Sequence, residues 1–343
     1  MHKGEVTLKD IAKTVGKSVA AVSKALHDHE DISPETRAAI KQAARQLGYR
    51  PNIVAQRLQK QQTETLGLVA PALQARQADP FFTDLLAGVA DQAAAEGFDL
   101  LVSTRMPGLE EQDAYQRLVH QQRVDGLIVA QPRQPDWRIS FLKTQAVPFV
   151  VVGHFSSTLD APGVLIDTAK GIEQAVNHLI AQGRRKLALL PPPADLLFAA
   201  ECQQAFYSAV VRHTGVSGQV STEEGAFSQK TGYRATQILL AEAEPPEAFI
   251  ACHDLVALGA MAAIHDQGFE VGSDVAVVGF GDILLAEYAQ PPLTSVHQPT
   301  YTMGQQACKM VIELIRGEML SPAQIVIEPW LVVRQSSGLD LWL

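Results

Sequence analysis

Residues 7–26 read TLKDIAKTVGKSVAAVSKAL and predict two short helices joined by a tight turn. Thr7 and Asp10 have the spacing of a helix N-terminal cap, and apolar residues then recur at helical intervals. Gly16 ends the first helix, because glycine tolerates the left-handed backbone of a helix C-terminus. Ser18 is a second cap, so another helix begins directly after the turn.

A third helix is predicted behind this pair, from the cap Ser33 and the first-turn proline Pro34 to the stop at Gly48. Three such helices are the layout of a helix-turn-helix module, whose second helix enters the major groove of DNA. Val19 and Ala20 lie outside the apolar stripe of that helix, where they could contact thymine methyl groups. The alternative is an ordinary helical hairpin with small surface residues.

A short conditional segment follows the three helices. Pro51 disfavours helical backbone at Arg50, and Asn52 can cap a stretch of about seven residues that ends near Leu58. A helix of this length is unstable alone in water. We therefore expect it to fold only against a partner, such as the same segment of a second subunit with DNA beneath it.

The net charge of −9 is unevenly distributed along the 343 residues. Residues 1–62 contain eleven Lys or Arg and six Asp or Glu, which gives +5, whereas the rest of the chain carries −14. A basic head on an acidic body indicates that the head meets a polyanion such as nucleic acid.

The composition excludes several other classes of protein. Hydrophobic residues make up 47% and charged residues 19%, which indicates a globular rather than a disordered chain. No apolar stretch is long enough to cross a bilayer and no signal-peptide core is present, so we expect a cytoplasmic protein without a membrane partner. Three widely spaced cysteines, Cys202, Cys252 and Cys308, indicate neither a disulfide framework nor a zinc cluster.

From Thr65 onward, apolar runs alternate with amphipathic stretches. Apolar strands separated by helices indicate parallel sheets, and the length of the pattern suits two doubly wound α/β lobes. Ligands of such folds bind beyond the carboxyl ends of the strands, here in a cleft between the lobes. The predicted strands are 65–70, 100–102, 126–130, 149–152, 187–190, 248–251 and 275–278, and the clearest helices are 81–95, 110–122 and 171–181.

Residues at these strand ends are pocket candidates because they collect there, although any one of them alone is more often a loop or cap residue. No Gly-x-Gly-x-x-Gly follows the first strand, and no Walker loop, nucleophile elbow or metal-ligand spacing is present. The sequence therefore supports neither an enzyme nor a bound cofactor or metal. The strand-end candidates are Pro71, Arg133, Gly153, His253-Asp254 and Phe280-Gly281-Asp282.

Several segments together resemble the LacI/GalR family of bacterial transcriptional repressors over essentially the whole chain. The resemblance implies an all-α helix-turn-helix head, a hinge helix and a two-lobed α/β sensor of the periplasmic-binding-protein type. It also implies a homodimer that binds pseudo-palindromic operator DNA and answers to a small-molecule effector. The segments that carry it are 6–12, the pair Ser23-Lys24, 48–52 with Ala55 and Leu58, 254–261, 277–280, 292–296 and 331–334.

The same resemblance implies a domain plan. We expect a helix-turn-helix domain at 1–49, a hinge and linker at 50–62, and an effector-binding and dimerisation domain at 63–343. Crossovers near 160, 292 and 322 would give a first lobe of about 63–160 and 293–321 and a second lobe of about 161–292 and 322–338. The chain ends nine residues after Arg334, which predicts a dimer without a tetramerising heptad tail.

Carried over by position, Val19 and Ala20 are the main base readers, and Leu58 is the wedge that enters the minor groove at the operator centre. Lys24 stands where the family usually has arginine. Lysine lacks the planar bidentate fork, so a guanine contact at this position would be less specific. The full set of expected DNA contacts is Thr7, Ser18, Val19, Ala20, Ser23, Lys24, His27, Asn52, Ala55 and Leu58.

The effector pocket departs from the family pattern at three positions. Cys202 replaces the arginine of sugar-binding members, Gly281 replaces the first of two aspartates, and His253 replaces an asparagine, so charged groups that would hold ring hydroxyls are missing. The segment 133–138 resembles that of α-glucoside-type members, which makes an oligosaccharide or α-glucoside the expected effector. The expected effector contacts are Pro71, Phe82, Arg133, Cys202, Phe227, His253, Gly281 and Gln298.

Two other functions are weighed against a ligand-responsive repressor. A periplasmic ligand carrier would have a signal peptide and lack a basic head, and neither condition is met. A regulator that answers to a partner protein through a degraded pocket agrees with Cys202, His253 and Gly281. The sequence indicates neither the operator nor whether the effector induces or co-represses.

Overall fold

A computed structural model describes residues 6–26, 31–49, 62–71, 79–223, 225 and 227–338. The chain divides into two units, residues 1–62 and 63–343. Within the described part of the chain, none of the helices combines the length and the apolar composition needed to span a bilayer.

The described residues of the first unit form three helices: α1 Leu8–Val15, α2 Val19–Leu26 and α3 Pro34–Leu47. The Asp10 carboxylate accepts hydrogen bonds from the Thr7 N–H (2.8 Å) and hydroxyl (2.7 Å), which fixes the start of α1. Gly16 and Gly48 end α1 and α3 in left-handed backbone, at φ +62° and +69°. The helices share one apolar cluster, made of Ile11, Ala12, Val22, Ala25, Ile40, Ala43 and Ala44.

The second unit alternates strands and helices along the chain. Its elements are β1 Thr65–Pro71, α4 Pro80–Ala95, β2 Asp99–Arg105, α5 Leu109–His120, β3 Gly126–Ala130, α6 Trp137–Thr144, β4 Phe149–His154, β5 Gly163–Ile166, α7 Thr168–Ala181, β6 Lys186–Leu190, α8 Ala199–Val210, β7 Ser217–Val220, α9 Gln229–Leu240, β8 Ala248–Ala251, α10 Asp254–Asp266, β9 Ala276–Gly281, α11 Leu284–Tyr288, β10 Thr294–His297, α12 Thr300–Ile315, β11 Gln324–Ile327 and β12 Trp330–Val332.

These strands form two six-stranded sheets, one in each lobe. The first sheet has the order β11-β5-β4-β3-β1-β2 and is parallel throughout. The second has the order β12-β10-β9-β8-β6-β7 and is parallel except for the edge strand β12. Strands β3, β4, β5 and β8 are buried along their whole length, as expected where helices cover both faces. The predicted fold class, a helix-turn-helix head with two parallel-sheet α/β lobes, is confirmed.

The chain crosses between the lobes at three places, each later than the predicted positions near 160, 292 and 322. Strand β5 still pairs with β4 in the first sheet, so the first crossover comes at Asp167. Strand β10 pairs with β9 in the second sheet, which moves the second crossover to 298–299. Strand β11 pairs with β5, whereas β12 pairs with β10, so the third lies at 328–329. The predicted positions lie in proline-containing turns that precede these strands, and the chain changes lobe only after the strands have paired.

Candidate functional site

The exposed face of α2 carries residues that the sequence predicts to read DNA. The Ser18 hydroxyl oxygen accepts a hydrogen bond from the Ala21 N–H at 3.1 Å and caps the helix. Val19 is 40% exposed and Ala20 is also exposed, whereas Val22 is fully buried in the cluster shared with α1 and α3. The apolar groups at the start of α2 are therefore available to contact another molecule.

Lys24 lies on the same helix, and its ammonium forms an ion pair with the Asp31 carboxylate. Both side chains are about half exposed, so the pair is weak and can be exchanged for a phosphate or base contact. Thr7 is exposed at the start of α1, and Ser23 is half-buried on α2. The other predicted DNA contacts lie outside the described residues: His27, Asn52, Ala55 and Leu58.

A cleft between the two lobes brings together four of the eight predicted effector contacts, Phe227, His253, Gly281 and Gln298. The space it encloses is about 410 Å³ including open solvent, but only about 20 Å³ of it is open to the centre of a water molecule. The lobes are therefore closed on one another. The other lining residues are Phe81, Asp84, Gln131, His154, Cys252, Phe280, Ile283 and Thr300.

His253 connects the lobes across this cleft. Its ring stacks on Phe227, with centroids 4.6 Å apart. The Nδ1 atom accepts a hydrogen bond from the Leu255 N–H at 3.1 Å, so Nε2 carries the proton and donates to Asp79 in the first lobe, also at 3.1 Å. Asp79 is the N-cap of α4, where its carboxylate accepts from the Phe81 N–H at 3.0 Å.

The environment of Asp79 favours its charged form. Burial opposes ionisation, but the hydrogen bonds from His253, Phe81 and Gln131 outweigh it, and the pKa of Asp79 lies below its usual value. A buried carboxylate of the first lobe is thus held by an imidazole of the second. This contact opposes opening of the cleft.

His154 is a second buried imidazole in the cleft wall, at the end of β4. It stacks on Phe198 with centroids 3.7 Å apart, and its Nδ1 lies 2.6 Å from the Thr168 hydroxyl. Burial lowers the pKa of His154 to about 3. Its ring is therefore neutral at neutral pH and offers hydrogen bonding without charge.

Backbone hydrogen bonds also join the lobes beside the cleft. The Gln134 N–H donates to the Asp195 carbonyl, and the Leu197 N–H donates to the Pro132 carbonyl, both at 2.9 Å. The Leu197 side chain is buried in an apolar cluster that otherwise belongs to the first lobe. The loop before α8 is thus docked onto the first lobe.

The other four predicted effector contacts do not line the cleft. Arg133 is held by the Glu111 carboxylate in a two-pronged ion pair, at 2.7 and 3.2 Å. Phe82 packs into the core below α4, and Pro71 lies half-buried at the end of β1. Cys202 is fully buried behind the cleft wall, against Cys252.

Asp282, which directly follows Gly281, already has two hydrogen-bond partners. Its two oxygens accept from Arg334 at 2.7 Å and from His297 at 2.8 Å. These partners outweigh burial and lower the pKa of Asp282. The carboxylate therefore fixes the end of β9 rather than facing the cleft.

The sequence did not single out His154, Gln131 or Asp79. His154 directly follows Gly153, which is a strand-end candidate. Taking one more residue at the end of each predicted strand would have included His154. Asp79 and Gln131 are recognised only through their mutual hydrogen bond at 3.3 Å and the one from His253. Those contacts join segments far apart in the chain. Among the described residues, no group of three or more His, Cys, Asp or Glu side chains is placed to hold a metal ion.

Comparison with known proteins gives matches in both units. The family described as bacterial regulatory proteins, lacI family, matches residues 7–52, and a periplasmic binding protein-like domain matches residues 176–337. The transcriptional repressor PurR of Erwinia tasmaniensis is 32% identical over 332 residues, which is 96% of each chain. The transcriptional regulator CelR of Thermobifida fusca is 32% identical over 336 residues, 96% of this chain and 98% of its own.

Two solved structures are similar along the whole chain. One is a complex of the regulator CelR with cellobiose, with a TM-score of 0.73 and 32% identity, covering 97% of this chain and 100% of the other. The other is the Lac repressor dimer bound to operator and an anti-inducer, with a TM-score of 0.82 and 27% identity, covering 98% and 100%.

Proposed function

The chain belongs to the LacI family of bacterial transcriptional regulators, and on that premise we propose that it is a dimeric repressor of a pseudo-palindromic operator, controlled by a neutral carbohydrate in the interlobe cleft. Its relatives are regulators and not enzymes. The proposal depends on the presence of two features in one chain. Helix α2 exposes Val19 and Ala20 at its start, and a polar and aromatic cleft lies between the two lobes.

In the proposed complex, α2 lies in the major groove. Val19 and Ala20 meet thymine methyl groups, while Thr7, Ser18 and Ser23 contact phosphates or base edges. Lys24 exchanges its pairing with Asp31 for a contact to DNA. The hinge residues Asn52, Ala55 and Leu58, together with His27, complete the expected contacts.

The homodimer is supported by exposed apolar side chains on both lobes. Val102, Met106 and Leu109 are 43%, 48% and 79% exposed at and beyond the edge strand β2. Leu284 and Tyr288 on α11 are 75% and 70% exposed. A surface hollow of about 1190 Å³ including open solvent lies between α10 and the segment 289–291, which directly follows α11. This hollow is larger than the cleft, and its largely apolar lining suits a second subunit.

A neutral sugar agrees with the chemistry of the cleft. Its described lining contains no lysine or arginine that would neutralise a carboxylate or phosphate. The Phe227 and His253 rings and Phe280 offer apolar faces to a sugar ring, and Gln131 and Gln298 can hydrogen-bond to hydroxyls. The closed cleft must open to admit such a ligand. The solved complex of CelR with cellobiose supports an oligosaccharide as the effector. The resemblance of segment 133–138 to α-glucoside-type members favours an α-glucoside among such sugars.

A thermal-unfolding panel tests the effector. We expect one or more of cellobiose, maltose and their monosaccharide units to raise the Tm with a concentration dependence set by mass action. Phe227→Ala should abolish that rise, because the mutation removes the ring that stacks on His253. Val211→Ala, at an 81% exposed position directly after α8 and outside the cleft, is the control and should keep it. If no sugar raises the Tm, the effector proposal fails and a partner protein becomes the better candidate signal.

A further inference from the structure

Two thiols lie in contact in the wall of the cleft. Cys202, on α8, and Cys252, directly after β8, have Sγ atoms 2.8 Å apart. They are 0% and 3% exposed, and both are free thiols. Disulfide sulfurs lie about 2.05 Å apart, so a movement of less than about one ångström would bring this pair to bonding distance.

Only one of the two thiols borders the cleft. Cys252 lines it, whereas Cys202 lies behind Cys252 in the core. The free space in the closed cleft is about 20 Å³ at the scale of a water centre. Hydrogen peroxide is only slightly larger than water and can occupy such a space, while a peptide disulfide cannot.

We propose that Cys202 and Cys252 are a modification site, an oxidisable dithiol that hydrogen peroxide entering the cleft converts into a disulfide. The Cys252 sulfur attacks one peroxide oxygen, the O–O bond breaks, and the leaving hydroxide departs as water with the thiol proton. The Cys202 sulfur then attacks the Cys252 sulfenic acid. The S–O bond breaks, the S–S bond forms and a second water leaves with the Cys202 proton. The two sulfurs lose two electrons in total, and the peroxide gains them.

Opening of the lobes would accelerate the first step. Burial, strengthened by the neighbouring Cys202, raises the pKa of the Cys252 thiol, so little thiolate is present at neutral pH in the closed cleft. Opening of the cleft would hydrate Cys252 and favour the thiolate. Oxidation should therefore accelerate as the pH rises, and a ligand that holds the lobes closed should slow it.

The disulfide would tie α8 to the start of the loop that carries His253. Because His253 stacks on Phe227 and donates to Asp79 of the first lobe, a constraint at Cys252 acts on the contact that closes the cleft. Any change that the disulfide causes in effector binding rests on the proposed function, because it requires that the cleft binds an effector. The thiol chemistry itself does not.

The test treats the full chain with hydrogen peroxide, alkylates the remaining thiols and locates the modified cysteines by peptide mass spectrometry. We expect one disulfide between Cys202 and Cys252, with loss of two hydrogens per chain, reversed by dithiothreitol. Cys308, fully buried in α12 with its pKa raised by burial to about 12, should still be alkylated after unfolding. No disulfide, a reaction that stops at a sulfenic or sulfinic acid, or a bond to Cys308 would each overturn the proposal.

Matched variants separate this site from general thiol oxidation. Cys308→Ser should form the disulfide at the parent rate. Cys202→Ser should instead leave a Cys252 sulfenic acid that dimedone captures, with folding checked by circular dichroism. Glutathione disulfide should react at least about tenfold more slowly than peroxide at equal concentration, because it reaches Cys252 only when the lobes open, whereas peroxide also enters the closed cleft. Equal rates would contradict the access argument. Mass spectrometry reports all of this whether or not the chain binds a sugar.

Discussion

His154 and His253 line the same cleft, yet their surroundings give them different tasks. His253 donates from Nε2 to a carboxylate of the opposite lobe and closes the cleft. His154 has a hydroxyl, that of Thr168, as its hydrogen-bond partner instead of a carboxylate. The first imidazole acts as a connector, and the second is a neutral hydrogen-bonding group between Phe198 and the cleft.

His154 should make stability depend on pH. The pKa of histidine is near 6.5 in an unfolded chain, whereas burial lowers it to about 3 in the folded protein. Below pH 6.5 the unfolded state therefore binds a proton that the folded state does not, and this group's contribution to the free energy of unfolding falls by up to about 1.4 kcal/mol per pH unit.

Urea unfolding of the parent and of His154→Asn measures this contribution. Asparagine can still pair with Thr168 but does not titrate. Between about pH 8 and pH 5 the parent should lose about 2 kcal/mol more stability than the variant. Parallel stability curves for the two proteins would show that His154 is not held neutral in the fold.

At this scale, the sequence locates strand-end side chains but does not identify their partners. His253 and Gly281, which follow predicted strands, and Gln298, which the family resemblance suggests, do meet at the cleft. Arg133 does not, because Glu111, on a helix that precedes β3, binds its guanidinium. An ion pair between residues separated by that much chain leaves no local sequence signal.

Elements with strong apolar runs were predictable, and short edge elements were not. Strands 126–130 and 248–251 have the predicted bounds because a continuous apolar run is buried on both faces. Strand β7 is only partly buried and reads SGQV, so its strand conformation comes from pairing with β6. The lobe crossovers were misplaced for the same reason, since pairing of the short strands β5, β10 and β11 decides where the chain leaves a sheet.

Helices α9 and α10 approach so closely that each needs a glycine at the contact. A Cβ on Gly259 would lie 1.9 Å from the Gln229 carbonyl oxygen, and one on Gly232 would lie 1.9 Å from the Val256 carbonyl oxygen. No side chain can occupy either position without moving the helices apart.

Gly259→Ala should therefore destabilise the protein by about 1–3 kcal/mol, although alanine is the better helix former by about 1 kcal/mol. Chemical unfolding gives the value. The exposed Ala90→Gly, in the interior of α4, serves as the control and should lose only the propensity difference of about 1 kcal/mol. A Gly259→Ala protein as stable as the parent would mean that the two helices pack more loosely than the structure shows.

For the whole molecule, the proposed dimer can be tested at one exposed side chain. Leu284 is 75% exposed on α11, and Leu284→Glu would place a carboxylate without a partner in the proposed interface. We expect the parent to sediment as a dimer and this variant to shift towards monomer. Its dimer dissociation constant should be at least about tenfold higher than that of the parent.

Met319→Glu is the matched control, because Met319 is 95% exposed in the segment between α12 and β11, whereas α11 belongs to the second lobe. It should sediment like the parent. Identical sedimentation of the Leu284→Glu protein and the parent would place the subunit interface elsewhere. A monomeric parent would contradict the proposed dimer.

The most direct measurement is a fluorescence-anisotropy titration of the full chain against a twofold-symmetric site selected from random duplexes, with one half-site scrambled as the comparison. We expect binding at least about tenfold tighter to the symmetric duplex, and a change of at least about tenfold in that affinity when the sugar that raises the Tm is added. Equal affinity for symmetric and scrambled duplexes, with and without sugar, would contradict the proposed function.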